Sequence, residues 1–214
     1  MRNFRFAVID IDGTVLNSKK FLRKIIKLCS KLYSPSNCRL LYDLLYSMSS
    51  CSFFENFFGS HLPKKKLMRL DRLFFNLFDF TDRGKVKAFK GAREALEDLS
   101  KNVILLATTV SKTYRIEERL NKLELLKLFT LVLGADIIPK SEHIPCFARY
   151  CGINLKKFTS QAFYVGDSTY DMILARGYDI YSIGITNTID GETLKKAGAK
   201  EVIENWQDLL KILK

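Results

Sequence analysis

The sequence predicts an α/β fold: a doubly wound, mostly parallel sheet with an all-helical segment inserted after the first strand. Three observations predict it. Short apolar runs recur at residue 6 and from residue 103 onward, separated by amphipathic helical stretches, and that alternation builds βαβ units. Between residues 18 and 80 the alternation stops, and nothing there has the period of a strand. Finally, several of the apolar runs end in polar residues, at the edge of a parallel sheet where ligands bind.

The elements follow in order. Residues 6–9 form strand one. Phe21, Leu22, Ile25, Ile26, Leu28, Cys29 and Leu32 recur at helical spacing, and Pro35 ends that helix or starts the next. Leu40, Leu41, Leu44, Leu45 and Met48 make a second helix, Phe53 to Phe58 a short third, and the stretch from Pro63 to Leu77 a fourth. From residue 91 the pattern alternates: a helix over 91–99, a strand over 103–107, a helix capped by Ser111, and a strand over 131–134. A helix over 144–150, a strand over 162–165 and a helix over 171–176 closed by Gly177 come next. Strands over 180–183 and 201–203 and a helix over 209–213 complete the chain.

With 214 residues, 47% of them hydrophobic, the chain suits one large domain or a core with a smaller insertion. No apolar run reaches the roughly 20 residues that span a bilayer, and the start has no signal-peptide pattern, so the cytoplasm is the expected location and no membrane is an expected partner. Five cysteines without CxxC spacing speak against a disulfide framework or structural zinc, and predict buried reduced thiols. His61 and His143 lack ligand spacing, which predicts structural or exposed histidines. The net charge is +12, and residues 17–88 carry fifteen Lys/Arg against five Asp/Glu. That stretch suits an anionic partner, a phosphorylated small molecule or nucleic acid, or else is a solvated basic face. It also holds nine of the sixteen Phe residues, which suits a helix-bundle core.

The strand ends carry the chemistry. Asp10 and Asp12 follow a buried strand, and two such carboxylates need a compensating charge, for which Mg²⁺ is the natural choice. Gly13 then permits close backbone approach. The strand at 103 supplies Thr108 or Thr109, the loop after Gly134 supplies Lys140, and the strand at 162 supplies Asp167, with Asp171 one helical turn on. One Asp beside Mg²⁺ can attack phosphorus and a second can protonate the leaving oxygen, while a hydroxyl and an ammonium hold the phosphoryl oxygens.

Asp10-Ile11-Asp12-Gly13-Thr14-Val15-Leu16-Asn17-Ser18 resembles the first motif of the haloacid dehalogenase (HAD) superfamily, and Gly166-Asp167-Ser168-Thr169-Tyr170-Asp171 resembles its fourth. Val103 to Thr109 is similar to the second motif and Lys140 to the third. The resemblance implies a Rossmann-like HAD core at 1–17 and 86–214, with 18–85 as an inserted helical cap. It implies Asp10 as nucleophile and Asp12 as general acid/base. Asp10, Asp167 and the backbone carbonyl of Asp12 would be the Mg²⁺ ligands. Thr109, Lys140 and Gly13 would bind phosphate, with Thr108 a competitor of Thr109, and Asp171 and Ser168 would support the site. The presence of Asp12 points to phosphoryl transfer over halide displacement. Two departures stand out: Val110 follows Thr109, and Ser141 rather than Pro follows Lys140.

The expected activity is a Mg²⁺-dependent phosphatase of a small phosphorylated metabolite, with the cap as lid. The alternatives are a phosphomutase on the same core, or a nucleic-acid-binding protein or nucleic-acid-end phosphatase using the basic cap. The aromatic insert also suits dimerisation, so a monomer or homodimer is expected.

Overall fold

The computed structural model describes residues 4–18 and 86–213. The helices expected between 21 and 77, His61, and Cys29, Cys38 and Cys51 lie outside those residues. Apart from Ser18 and Val86, the first and last residues of a second unit, what is described belongs to one compact unit built of residues 1–17 and 87–214.

Six parallel strands form a single sheet in the order β3-β2-β1-β4-β5-β6. They are β1 (Phe6–Asp10), β2 (Ile104–Thr108), β3 (Phe129–Leu133), β4 (Ala162–Gly166), β5 (Tyr181–Ile185) and β6 (Glu201–Ile203). The strand order reverses beside β1, between β2 and β4, which is the switch point where such sheets bind ligands. Register puts Asp10 level with Thr108, Thr108 level with Leu133, and Ile9 level with Val165. The ends of β1, β2, β3 and β4 therefore share one edge, and β1 and β4 are buried along their whole length.

Helices cover both faces. They are α1 (Ala92–Leu99), α2 (Thr113–Lys122), α3 (His143–Tyr150), α4 (Leu155–Ser160), α5 (Thr169–Gly177), α6 (Gly191–Ala197) and α7 (Trp206–Leu213). One core cluster gathers Phe6, Val8, Phe147, Phe158, Tyr164 and Met172. The Phe6 and Phe158 rings lie 4.9 Å apart. The chain leaves and rejoins the sheet at one place: the Asn17 amide donates to the Lys87 carbonyl (2.8 Å) and the Phe89 amide to the Val15 carbonyl (2.9 Å). An insertion between 17 and 87 thus starts and ends side by side, which a sheet edge tolerates well.

Four expectations need correction. Helices α4 and α6 stand where none was expected; each buries a single side chain, Phe158 or Leu194, and each is capped by the side chain before it, Asn154 or Asp190. Ser111 is not the cap of α2: Asp136 Oδ1 accepts from the first helical amide, of Thr113, at 2.7 Å, and the Ser111 hydroxyl turns elsewhere. Gly177 does not close α5; the left-handed residue is Asp179 (φ 53), a type that tolerates that conformation. Cys146 and Cys151 are free, as expected, but half-buried.

Candidate active site

Asp10 ends the central strand and is almost fully buried. A buried carboxylate needs a partner, and Lys140 provides one: its Nζ lies 2.6 Å from Asp10 Oδ1 and 2.8 Å from Asp171 Oδ1. The short 3₁₀ turn Lys140–Glu142, between β3 and α3, carries that ammonium inward. Burial pushes the Asp10 carboxyl well above its usual range, Lys140 opposes it, and the charges of Asp171 and Asp167 add to it. Burial pulls the Lys140 ammonium down, but Asp10 and then Asp171 outweigh it and hold Lys140 well above a free lysine.

Asp167 follows β4. The Thr14 hydroxyl lies 2.9 Å from both Asp10 Oδ2 and Asp167 Oδ1 and links the two acids. Burial and the charge of Asp171 raise Asp167 to about 7, against the hydroxyls of Thr188 and Thr14. Gly13 is required here: its φ is +92°, and a Cβ on it would sit 2.3 Å from Asp167 Oδ2. Its amide donates to the Leu16 carbonyl (2.9 Å), so in this structure Gly13 gives the site clearance for Asp167 rather than a free donor for phosphate.

Asp12 faces the other way. Its Oδ2 accepts from the Ser111 hydroxyl (2.6 Å) and the Thr109 hydroxyl (3.2 Å), and its Oδ1 lies 3.8 Å from an Arg119 nitrogen on α2. Thr108 is the last residue of β2 and Thr109 the first beyond it, and their hydroxyls part. Thr109 looks into the site, while the Thr108 hydroxyl lies 2.7 Å from His143 Nδ1. His143 Nε2 is 3.1 Å from the Ile138 carbonyl, which can only accept, so Nε2 carries the proton and Nδ1 accepts from Thr108. Burial, with Lys140 adding, takes this imidazole down to about 4, so it is a neutral structural group.

Asp171 sits in the first turn of α5, whose cap is Ser168. The two residues form a capping box, with the Ser168 hydroxyl and amide both donating to Asp171 Oδ2. Asp171 Oδ1 takes Lys140 and the Tyr164 hydroxyl, the latter at 2.7 Å. Gly166 makes the approach possible, since a Cβ there would lie 2.5 Å from that of Asp171.

Asp10, Asp167 and Asp171 offer carboxylate oxygens within 4.8 Å of one another. Asp167 Oδ2 is buried and completes no hydrogen bond. Both oxygens of Asp171 are already engaged by four donors. An all-oxygen donor set of this kind fits a hard divalent cation, and Asp10 and Asp167 are the acids with room for it.

Every residue expected at the site from sequence lies at this edge, Thr108 alone turning its hydroxyl away. Sequence reasoning missed the positions of Thr14, Ser111, Arg119, Tyr164 and Asn187. Asn187 donates to the Gly13 and Thr14 carbonyls at 3.0 and 3.1 Å, and Trp206 Nε1 to that of Thr14 at 3.3 Å, which pins the turn after Asp12. Arg119 had a readable signal: it falls in phase with Ile116 and Leu120, on the buried face of α2.

Among the described residues no helix is long and apolar enough to cross a membrane. The structure is similar to a haloacid dehalogenase-like hydrolase of Streptococcus pneumoniae, with a TM-score of 0.84 at 19% identity and 100% of each chain covered. It is also similar to a phosphoglycolate phosphatase candidate of Haemophilus somnus, with a TM-score of 0.80 at 20% identity and the same coverage. At such identities these show the fold. A candidate pyrophosphatase, PpaX, of Caldanaerobacter subterraneus subsp. tengcongensis is 32% identical over 97% of this chain and 94% of its own. The family model for haloacid dehalogenase-like hydrolases matches residues 7–185, from the second residue of β1 to the end of β5. With the acids of β1 and β4 and the lysine after β3 converging at one sheet edge, this chain belongs to the haloacid dehalogenase-like hydrolase family.

Proposed function

We propose that this hydrolase is a Mg²⁺-dependent phosphatase of small phosphorylated metabolites that works through an aspartyl-phosphate on Asp10. The observation that carries the reading is the division of labour between two neighbouring carboxylates. Asp10 is buried against Lys140, whereas Asp12 is turned toward Ser111, Thr109 and Arg119. Asp10 and Asp167, with the backbone carbonyl of Asp12, would hold Mg²⁺. When bound, the cation offsets the charge of the acids and of the phosphoryl oxygens.

A carboxylate oxygen of Asp10 attacks phosphorus while the bond to the leaving oxygen breaks, and Asp12 gives that oxygen its proton. Asp12 then takes a proton from water. The water oxygen attacks the phosphorus, the bond to Asp10 breaks, and inorganic phosphate leaves. Lys140 keeps Asp10 aligned and meets the phosphoryl charge, and the Thr109 hydroxyl donates to a phosphoryl oxygen. Residues 18–85 serve as the cap, whose basic charge draws in an anion.

The test is free phosphate release from a panel that includes p-nitrophenyl phosphate, pyrophosphate and phosphoglycolate. Release that needs Mg²⁺ and vanishes in Asp10→Asn is expected. Release that persists in Asp10→Asn contradicts the reading, and isomerised product without free phosphate would make the enzyme a mutase.

A further inference from the structure

We propose that Tyr164 is a positioning residue: its hydroxyl shares Asp171 Oδ1 with Lys140, and so sets how that ammonium is divided between Asp171 and Asp10. The proposal rests on the aspartate-nucleophile reading above.

The geometry is closed. Lys140 Nζ lies 2.6 Å from Asp10 Oδ1 and 2.8 Å from Asp171 Oδ1, with all three side chains buried. A carboxylate oxygen has two in-plane lone pairs. At Asp171 Oδ1 one goes to Lys140 and the other to the Tyr164 hydroxyl at 2.7 Å. The tyrosine is protonated and can only donate there, since burial and Asp171 hold its hydroxyl well above a free phenol. Asp171 Oδ2 is occupied by Ser168. Asp171 is therefore saturated, and the remaining donor capacity of Lys140 points at Asp10.

Removing the Tyr164 hydroxyl leaves Asp171 Oδ1 short of a donor. The nearest donor is Lys140, which moves toward Asp171 and away from the reacting oxygens. Tyr164 itself touches neither Asp10 nor a cation position; it acts through Asp171. It sits in the middle of fully buried β4, so its position is fixed by the sheet. The same saturation makes Asp171 an anchor for Lys140 rather than a cation ligand.

The test uses the full chain with Tyr164→Phe, Lys140→Met and the double variant, assayed with p-nitrophenyl phosphate, and Mg²⁺ affinity measured by calorimetry. Tyr164→Phe should lower kcat about tenfold at a KM within about twofold of native, because small displacements of an aligned group cost rate more than binding. In the Lys140→Met background the same change should lower kcat no further, and Mg²⁺ affinity should hold. A kcat unchanged in Tyr164→Phe, or a drop that persists without Lys140, overturns the proposal. Asp171→Asn supplies an arm that needs no turnover: a loss of Mg²⁺ affinity of no more than about 100-fold, as for a group that acts through another, is expected, and loss of all measurable Mg²⁺ binding would make Asp171 a ligand and overturn it. Activity that survives Asp10→Asn sinks the underlying reading instead, so the two failures are told apart.

Discussion

Asp10 and Asp12 stand two residues apart and occupy two different worlds. Asp10 is buried, paired at 2.6 Å with an ammonium and linked through Thr14 to Asp167. Asp12 keeps 17% of its side chain exposed and meets two hydroxyls and, at 3.8 Å, a guanidinium. Identical chemistry is thus split by environment into a buried, ion-paired carboxylate and a partly solvated one, the division that the proposed nucleophile and acid/base roles require. The split is built by topology: the Asp10 side draws on β4 and the turn after β3, and the Asp12 side on β2 and α2.

The largest loss is expected at Asp10. Asp10→Asn should cost about 10⁴-fold or more in kcat, as removing a covalent nucleophile does. Next comes its partner. Lys140→Met leaves Asp10 and Asp171 buried without their ammonium and should destabilise the fold by about 3–5 kcal/mol, as chemical denaturation without added cation would show. Added Mg²⁺ should recover part of that loss. Asp12→Asn should lower kcat by about 10²–10³-fold, and kcat/KM should fall less for dinitrophenyl phosphate than for an alkyl phosphate, because a good leaving group needs little proton donation. An equal loss for both would merge the two roles.

His143 offers a control on the structural side. Its folded value of about 4 lies below the unfolded value of 6.5, so the unfolded chain binds the proton first as pH falls. Stability from this group is full above pH 6.5 and is lost as pH falls toward 4, by up to about 3 kcal/mol. The difference in unfolding free energy between the native chain and His143→Gln isolates it from Asp10 and Asp167, whose raised values slope the other way. The smallest effect is expected for Ser111→Ala: about tenfold in kcat with KM unchanged, from one lost hydrogen bond to a charged group.

Much of this was legible in the chain. The strand β1 is an apolar run that ends in Asp10 and β4 one that stops just before Asp167, and Asp-x-Asp-Gly-Thr and Gly-Asp-x-x-x-Asp carry their own spacing. What stayed hidden had physical reasons. Helices α4 and α6 bury one side chain each, so they leave no periodicity, and only Asn154 and Asp190 announced them. Ser111 reads as a helix cap because its type caps well; only tertiary structure, with Asp136 brought across from after β3, frees it for Asp12. Thr108 and Thr109 are chemically equal, and the turn of the chain at the end of β2 decides which faces the site. Tyr164 looks like a strand former until Asp171, seven residues on, folds back over Gly166 to meet it.

The most direct measurement traps the intermediate. The enzyme, quenched in acid during turnover with Mg²⁺ and substrate, is reduced with borohydride or digested for mass spectrometry to locate the acyl phosphate. Aspartyl-phosphate chemistry on Asp10 predicts the modification there, gone in Asp10→Asn and accumulating in Asp12→Asn with a good leaving group. A modification at Asp12, or turnover through no covalent species at either residue, would contradict it.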